Sequence, residues 1–173
     1  MGRNQKVGSE AWKFFLAGVF EGEGSIAVSV KKALWTRFGY VVDPEVFVYQ
    51  HKEGRYLLEQ FKLLFGSGRI SPKPGNGSVL VYCLTARRTI AEKVIPFLKE
   101  YVYPFSAKKN KILLFEEIVS RLQRKEHLSK EGMIRLIELA YQMTSSKGKG
   151  RLREKEMVLE EILRGHTPEA GAT

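Results

Sequence analysis

The sequence predicts an α+β fold: one four-stranded antiparallel sheet, curved, with helices on one face and further helices at the C-terminal end. Three observations predict it. Short β-rich runs occur in two pairs, the first of them, Ser25–Lys31, in strict two-residue alternation. Each pair follows a stretch of helical period, giving the order helix, strand, strand, helix, strand, strand, helix. From Ser106 onward the chain reads as helix throughout. Hydrophobic residues make up 43% of the chain, so it should fold around a core rather than stay disordered.

The elements follow in order. Ser9 is placed to cap a helix through Trp12, Phe15, Leu16, Val19 and Phe20, which Gly22 and Gly24 stop. Trp12, Phe15 and Phe20 read as core. In the next run Ile26, Val28 and Val30 share one face and Ser25, Ala27, Ser29 and Lys31 the other, the pattern of a half-buried strand. A turn near Thr36–Gly39 leads to a second strand, Tyr40 to Gln50, where Pro44 implies an edge position or a bulge. Glu53 to Phe65 reads as a helix. Two strands, Arg69 to Lys73 and Ser78 to Leu84, flank a hairpin turn expected at Gly75-Asn76-Gly77. Thr85 starts a helix that Pro96 should end or kink. Helices over Lys108–Arg124, Lys130–Met143 and Leu152–Leu163 follow, the last two joined by the basic link Ser145–Gly150. Gly165 to Thr173 reads as a frayed tail. This describes one domain over 1–165, with a core over about 9–124, C-terminal helices over about 128–164, and a disordered tail over 166–173.

Charge narrows the partners. Lys and Arg number 29 against 19 Asp and Glu, a net charge of +10, which suits a polyanion such as nucleic acid, although basic proteins also bind anionic membranes or ribosomes. The single cysteine, Cys83, excludes an internal disulfide and a multi-cysteine zinc site and reads as a strand position. No apolar run reaches the length of a membrane span, and the N-terminus has no signal core, so the chain is expected to be soluble and intracellular. The outward face of the sheet, carrying Ser29, Lys31, Ser71 and Lys73, is polar and basic, a surface that a duplex groove could accept. Arg37 and Arg69 add to it. Lys147 and Lys149 in the basic link are candidates for backbone phosphate contacts.

The most informative segment is Leu16-Ala17-Gly18-Val19-Phe20-Glu21-Gly22-Glu23-Gly24. Gly18 and Gly22 lie four apart on one helix face, at a cost of roughly 1 kcal/mol each against alanine. Small residues at that spacing, with Ala17 beside them, let two helix backbones approach closely. Glu21 and Glu23 stand at the helix C-terminus, where the dipole disfavours acids. A bound cation would offset that cost. Two such helices side by side would bring one acid from each chain to a shared divalent metal, whose chemistry suits phosphodiester hydrolysis.

This nine-residue segment resembles the signature of the LAGLIDADG homing endonucleases, position by position, with Glu at both acidic places where Asp is commoner. The helix and strand order over Ser9 to Arg124 resembles that family's core. The resemblance implies a DNA endonuclease making double-strand breaks with short 3′ overhangs. Chains with one motif act as homodimers, so a partly palindromic site is expected. Ala17, Gly18, Glu21 and Gly22 would form the dimer interface. By the same resemblance Glu23 and the carbonyl of Gly22 would hold the metal, Mg2+, with Mn2+ or Ca2+ substituting in binding. Gln50, at the end of the second strand, would position water. Lys108 or Lys109 would stabilise developing charge or polarise the attacking water, with Arg55 as a further basic helper. The alternative is a protein of the same fold that binds DNA or RNA without cutting, as an intron maturase does; an intact Glu23 favours cleavage.

Overall fold

The computed structural model describes residues 9–143 and 154–166. Helix α1 (Glu10–Glu23) is followed by strands β1 (Gly24–Lys32) and β2 (Tyr40–His51), helix α2 (Arg55–Phe65), strands β3 (Arg69–Lys73) and β4 (Asn76–Leu84), a helical run over 87–105 labelled α3, and helices α4 (Lys109–Gln123), α5 (Lys130–Met143) and α6 (Lys155–Arg164). The four strands form one antiparallel sheet in the order β1-β2-β4-β3, so the α+β class and the order of elements are as expected. By its internal contacts the chain divides into two compact units, residues 1–26 with 45–113 and residues 27–44 with 114–173.

In the first unit Ser9 Oγ accepts the N–H of Trp12 (3.3 Å), satisfying one of the orphan donors of the first turn of α1. Leu16, Ala17 and Phe20 bury one face of α1, and the helix packs along Leu98–Val102. The core is aromatic: the Phe61 ring lies 6.2–6.3 Å from those of Phe20, Phe65 and Tyr82, and Phe65 meets Phe97 edge-on at 5.6 Å. The opposite face of α1 behaves otherwise. Phe14 and Phe15 are 49% and 45% exposed, so Phe15 is not a core residue of this chain. Helical period places it 5 positions before Phe20, near a full turn and a half, off the buried stripe.

Two local features differ from the sequence reading, and a third, at Pro44, meets it in an unexpected place. The β3–β4 turn falls on Pro74-Gly75, one residue earlier than expected. Proline presets φ for the first central position and Gly75 supplies the positive φ (+75°) of the second. Asn76 Oδ1 instead accepts the N–H of Ser78 (3.1 Å). Pro96 does not end its helix. The run passes through π turns at Ile90–Val94 and Leu98–Val102 on either side of Ile95–Phe97 and closes in a 3-10 turn at Tyr103–Phe105. The wider turn ahead of Pro96 gives its ring room against the preceding carbonyls. Pro44 lies in a strand that is interior to the sheet, but of β2 it is Val46–His51 that pairs with β4. The missing N–H of Pro44 therefore falls beyond the β4 pairing, which is the local edge that proline requires.

In the second unit Phe115, Ile118, Leu122, Met133, Leu136, Ile137, Val158 and Ile162 are buried, and α5 packs on α6. The β1–β2 turn is tied down: Thr36 Oγ1 donates to the carbonyl oxygens of Ala33 (2.8 Å) and Tyr40 (3.1 Å). His166 Nε2 donates to the carbonyl of Leu34 (2.7 Å), and His166 is half-buried just beyond the end of α6. The rest of the expected tail, 167–173, lies outside the described residues. Among the described residues no helix is long and apolar enough to cross a membrane.

Candidate active site

The end of α1 carries the site, and its two acids have different surroundings. Glu21 is half-buried and turned towards the start of α4. Its Oε2 accepts the Ser106 hydroxyl (2.7 Å) and its Oε1 accepts the N–H of Ala107 (3.2 Å). Ser106 Oγ in turn accepts the N–H of Lys108 (2.8 Å). In the opposite sense, Lys108 Nζ donates to the carbonyl oxygens of Glu21 (2.6 Å) and Gly24 (3.3 Å). The acid at the C-terminus of α1 thus serves the N-terminus of α4, and the lysine at the N-terminus of α4 serves the C-terminus of α1. Each charge lies where the other helix's dipole favours it. The cost that a bound cation was expected to offset at Glu21 is offset by this reciprocal clasp, between residues more than eighty positions apart.

Glu23 has no such partner. It is exposed, with no hydrogen bond or ion pair among the described residues. Beside it, the carbonyl of Gly22 lies among the last four of α1, which no N–H of the helix can reach. A carboxylate and a carbonyl oxygen suit a hard divalent cation. Among the described residues no group of three or more His, Cys, Asp or Glu gathers at one place, so at this helix end one copy of the chain offers Glu23 as its free carboxylate. Gly24 fixes where Glu23 stands: a Cβ on Gly24 would meet the carbonyl oxygen and, at 2.6 Å, the ring of Phe20. The β1 backbone can leave α1 this closely only with glycine there.

The exposed side of the same helix is open. A Cβ added at Gly18 or Gly22 would meet nothing within 4 Å. These two glycines, with Phe14, Ala17, Glu21 and Phe105, line a shallow groove of about 380 Å3. Phe105 is 78% exposed. Ala17 is already buried within the chain's own fold, so the groove offers mainly Gly18, Gly22 and the exposed phenylalanines.

The other sequence candidates take up particular positions. Gln50 pairs with Leu80 across the sheet, and its Oε1 accepts the N–H of His51 (2.9 Å). Its side chain lies over Gly54, where a Cβ would approach its Cγ to 2.5 Å. Lys109 is exposed, its ammonium 5.5 Å from the ring centre of Tyr103. Arg55 is paired with Glu59 one turn along α2 (2.8 Å). Sequence reasoning passed over Lys111. It is half-buried at the first turn of α4, and burial, with the nearby charge of Lys108, holds its pKa below the ordinary lysine value. The signal was present in the lysine-rich run Lys108-Lys109-Asn110-Lys111, but only the packing singles out one member.

Of the residues expected to meet a duplex, Arg69 and Ser71 on β3 stand opposite Cys83 and Val81, which stand opposite Phe47 and Tyr49 on β2. This part of the sheet face therefore has an apolar middle, with buried Cys83 within it, flanked by Arg69, Ser71 and Lys73. The Lys73 ammonium sits 5.3 Å from the ring centre of Tyr49. In the second unit Ser29 Oγ donates to the carbonyl of Asp43 (3.5 Å) and Lys31 pairs with the Asp43 carboxylate (3.6 Å). Arg37 Nη1 donates to the carbonyl of Leu128 (3.1 Å) and its guanidinium lies over Phe38. Lys147 and Lys149 lie outside the described residues.

Comparison with known proteins places these features in a family. The sequence model of the LAGLIDADG endonucleases matches residues 16–119. The chain is 36% identical over 146 residues to DNA endonuclease I-CeuI of Chlamydomonas moewusii, covering 83% of this chain and 66% of that protein, so the matched part falls just short of two thirds of the relative's length. It is 32% identical over 151 residues to homing endonuclease I-ApeII of Aeropyrum pernix, covering 87% of each. Among solved structures, I-CeuI complexed with DNA superposes with a TM-score of 0.84 at 32% identity, over 92% of this chain and 79% of that one. The archaeal intron-encoded endonuclease I-Vdi141I complexed with DNA superposes with a TM-score of 0.79 at 34% identity, over 90% and 98%. With its motif helix, its strand order and its sequence all in agreement, the chain belongs to the LAGLIDADG endonuclease family.

Proposed function

We propose that this protein is a homing endonuclease that acts as a homodimer and makes Mg2+-dependent double-strand breaks in a long, partly palindromic DNA site, leaving 3′ overhangs. The observation that carries the reading is the free Glu23 carboxylate at the end of a helix whose glycine face is open. In this reading the α1 helices of two copies pack through Gly18 and Gly22, and each copy brings one Glu23 to the shared centre. Glu23 and the carbonyl of Gly22 would hold the metal, which when bound stabilises charge on the phosphate and makes water a stronger nucleophile at neutral pH.

The chain's own residues set up that chemistry. Lys108 holds the carbonyls on both sides of Glu23 and so fixes the direction in which the carboxylate leaves α1; it is a positioning residue. Gln50, its carbonyl end occupied by His51, presents its amide end to a water or phosphate oxygen. Ser29, Lys31, Arg37, Arg69, Ser71 and Lys73 meet the duplex, the charged ones taking phosphates and base edges and the apolar middle of the face following groove shape. The net charge of +10 supports a polyanionic partner.

A cleavage selection tests the reading. The purified chain is incubated with a randomised duplex library in Mg2+, in EDTA, and as Glu23→Gln in Mg2+. Discrete double-strand cuts at an approximate palindrome are expected, lost in EDTA and in the variant. Tight binding without cutting in either Mg2+ or Mn2+ would overturn the nuclease reading in favour of a non-cutting binder of DNA or RNA.

A further inference from the structure

A second cavity, of about 120 Å3, opens on the other side of the same helix end. Phe20, Glu21, Gly24, Ser25, Lys108 and Lys111 contribute to its wall. Gly24 and Ser25 directly follow Glu23, so the cavity adjoins the proposed cutting centre along the chain.

The two lysines in this wall are not equivalent. Lys108 is committed to the carbonyls of Glu21 and Gly24. Lys111, three positions later and therefore on the same face of α4, is half-buried and has no hydrogen bond or ion pair among the described residues. Leaving an ammonium partly desolvated and unpaired is unfavourable. The depressed pKa of Lys111, caused first by burial and then by Lys108, is the same fact in another form. The one acid in the wall does not relieve it: Glu21 spends one oxygen on Ser106 and the other on Ala107. With two cations against one engaged carboxylate, the cavity keeps an excess positive charge and lacks an anion.

We propose that Lys111 is a catalytic contact: its ammonium meets a non-bridging oxygen of the DNA phosphodiester held beside Glu23 and stabilises the charge that builds there as the bond is cut. The proposal rests on the nuclease reading above. Lys111 keeps its proton throughout, and offsets charge without taking part in bond making. An ammonium at this place gains from the phosphate what it lacks in the free protein, and a donor aimed at developing charge in a site with little water is worth more than an exposed one.

The test uses the full chain and a duplex recovered from the cleavage selection. Single-turnover cleavage in Mg2+ is measured for wild type, Lys111→Met and Lys111→Arg. Affinity for the uncut duplex is measured for Lys111→Met in a Glu23→Gln background. Lysine reactivity towards trinitrobenzenesulfonate is mapped by mass spectrometry with and without the duplex. Lys111→Met should slow cleavage on the order of 100-fold and shift affinity far less; Lys111→Arg should recover part of the rate; the duplex should protect Lys111 from the reagent. Cleavage by Lys111→Met within about threefold of wild type, equal losses in rate and affinity, or unchanged labelling of Lys111 in the complex would each overturn the proposal while leaving the nuclease reading intact. Should Lys111→Met fail to fold, Lys111→Arg and the labelling decide. A wild-type chain that cuts no duplex would instead overturn the nuclease reading, and this proposal with it.

Discussion

Replacing Lys108 by Met tests the clasp between α1 and α4. The substitution keeps an apolar stem of similar length and removes the ammonium from the carbonyls of Glu21, at 2.6 Å, and Gly24, at 3.3 Å. The shorter bond is a charge-assisted one, worth about 1.5–3 kcal/mol in a partly buried setting. The loss of a cation at a helix C-terminus adds about 0.3–1 kcal/mol. Water reaches part of the vacated carbonyls and returns some of this, so a net loss of about 2 kcal/mol is expected. For a chain of this size each kcal/mol lowers Tm by about 2–4 °C, giving a fall of about 4–8 °C. Thermal and urea unfolding of the wild type, Lys108→Met, Glu21→Gln and the double variant measure it. Because Lys108, Ser106 and Glu21 share one network, the double variant should lose less than the sum of the single losses, by at least about 0.5 kcal/mol. A Lys108→Met protein with unchanged Tm and simple additivity would refute the clasp. If cleavage were lost at the same time, the lysine would be acting on DNA rather than on α1.

Three further outcomes are expected. Gly18→Leu should leave the folded chain at least as stable, since the position is open and leucine gains up to about 1 kcal/mol of helix propensity over glycine; sedimentation should show the dimer abolished and cleavage lost, and a cleaving dimer of this variant would place the interface elsewhere. Gly54→Ala should displace the Gln50 side chain, whose Cγ a new Cβ would approach to 2.5 Å, so cleavage should fall at nearly unchanged stability; full cleavage would exclude a role for Gln50 at its present place. Burial raises the Tyr82 pKa well above its ordinary value, and its hydroxyl donates to the carbonyl of Ser67 (2.8 Å). The folded state then holds a proton that the unfolded chain releases above its pKa of about 10, so this contribution is complete below that pH and declines as pH rises through it. Urea titrations at pH 8 and 11 should show the decline in wild type and a smaller one in Tyr82→Phe, which should itself cost about 1 kcal/mol at neutral pH; equal slopes would remove Tyr82 from the alkaline transition.

The elements were legible because periodicity is local. The stripe Leu16, Phe20 and the alternation Ile26, Val28 report which face of each element is buried without reference to what covers it. The nine residues ending in Gly24 carried the family, and with it the strand order, since each position there answers to a backbone requirement: small residues for close approach, glycine where β1 leaves Phe20. Turn position was harder to read. Asn76-Gly77 and Pro74-Gly75 are both good turn pairs, and strand pairing across Lys73 and Asn76 chose between them. The helix around Pro96 was misjudged because its π turns are made by packing, and composition does not announce them.

What the sequence determined by itself was which residues carry charge and which stretch of helix is bare enough for another helix to approach closely. It could not say how those charges pair. Glu21 and Glu23 are nearly identical in sequence context, two positions apart at one helix end, yet one is spent on Ser106 and Ala107 and the other is left free. Lys108 and Lys111 differ in the same way. Pairing is decided by distance and desolvation, which depend on the fold bringing the start of α4 against the end of α1, and electrostatic energy between such groups varies steeply with both.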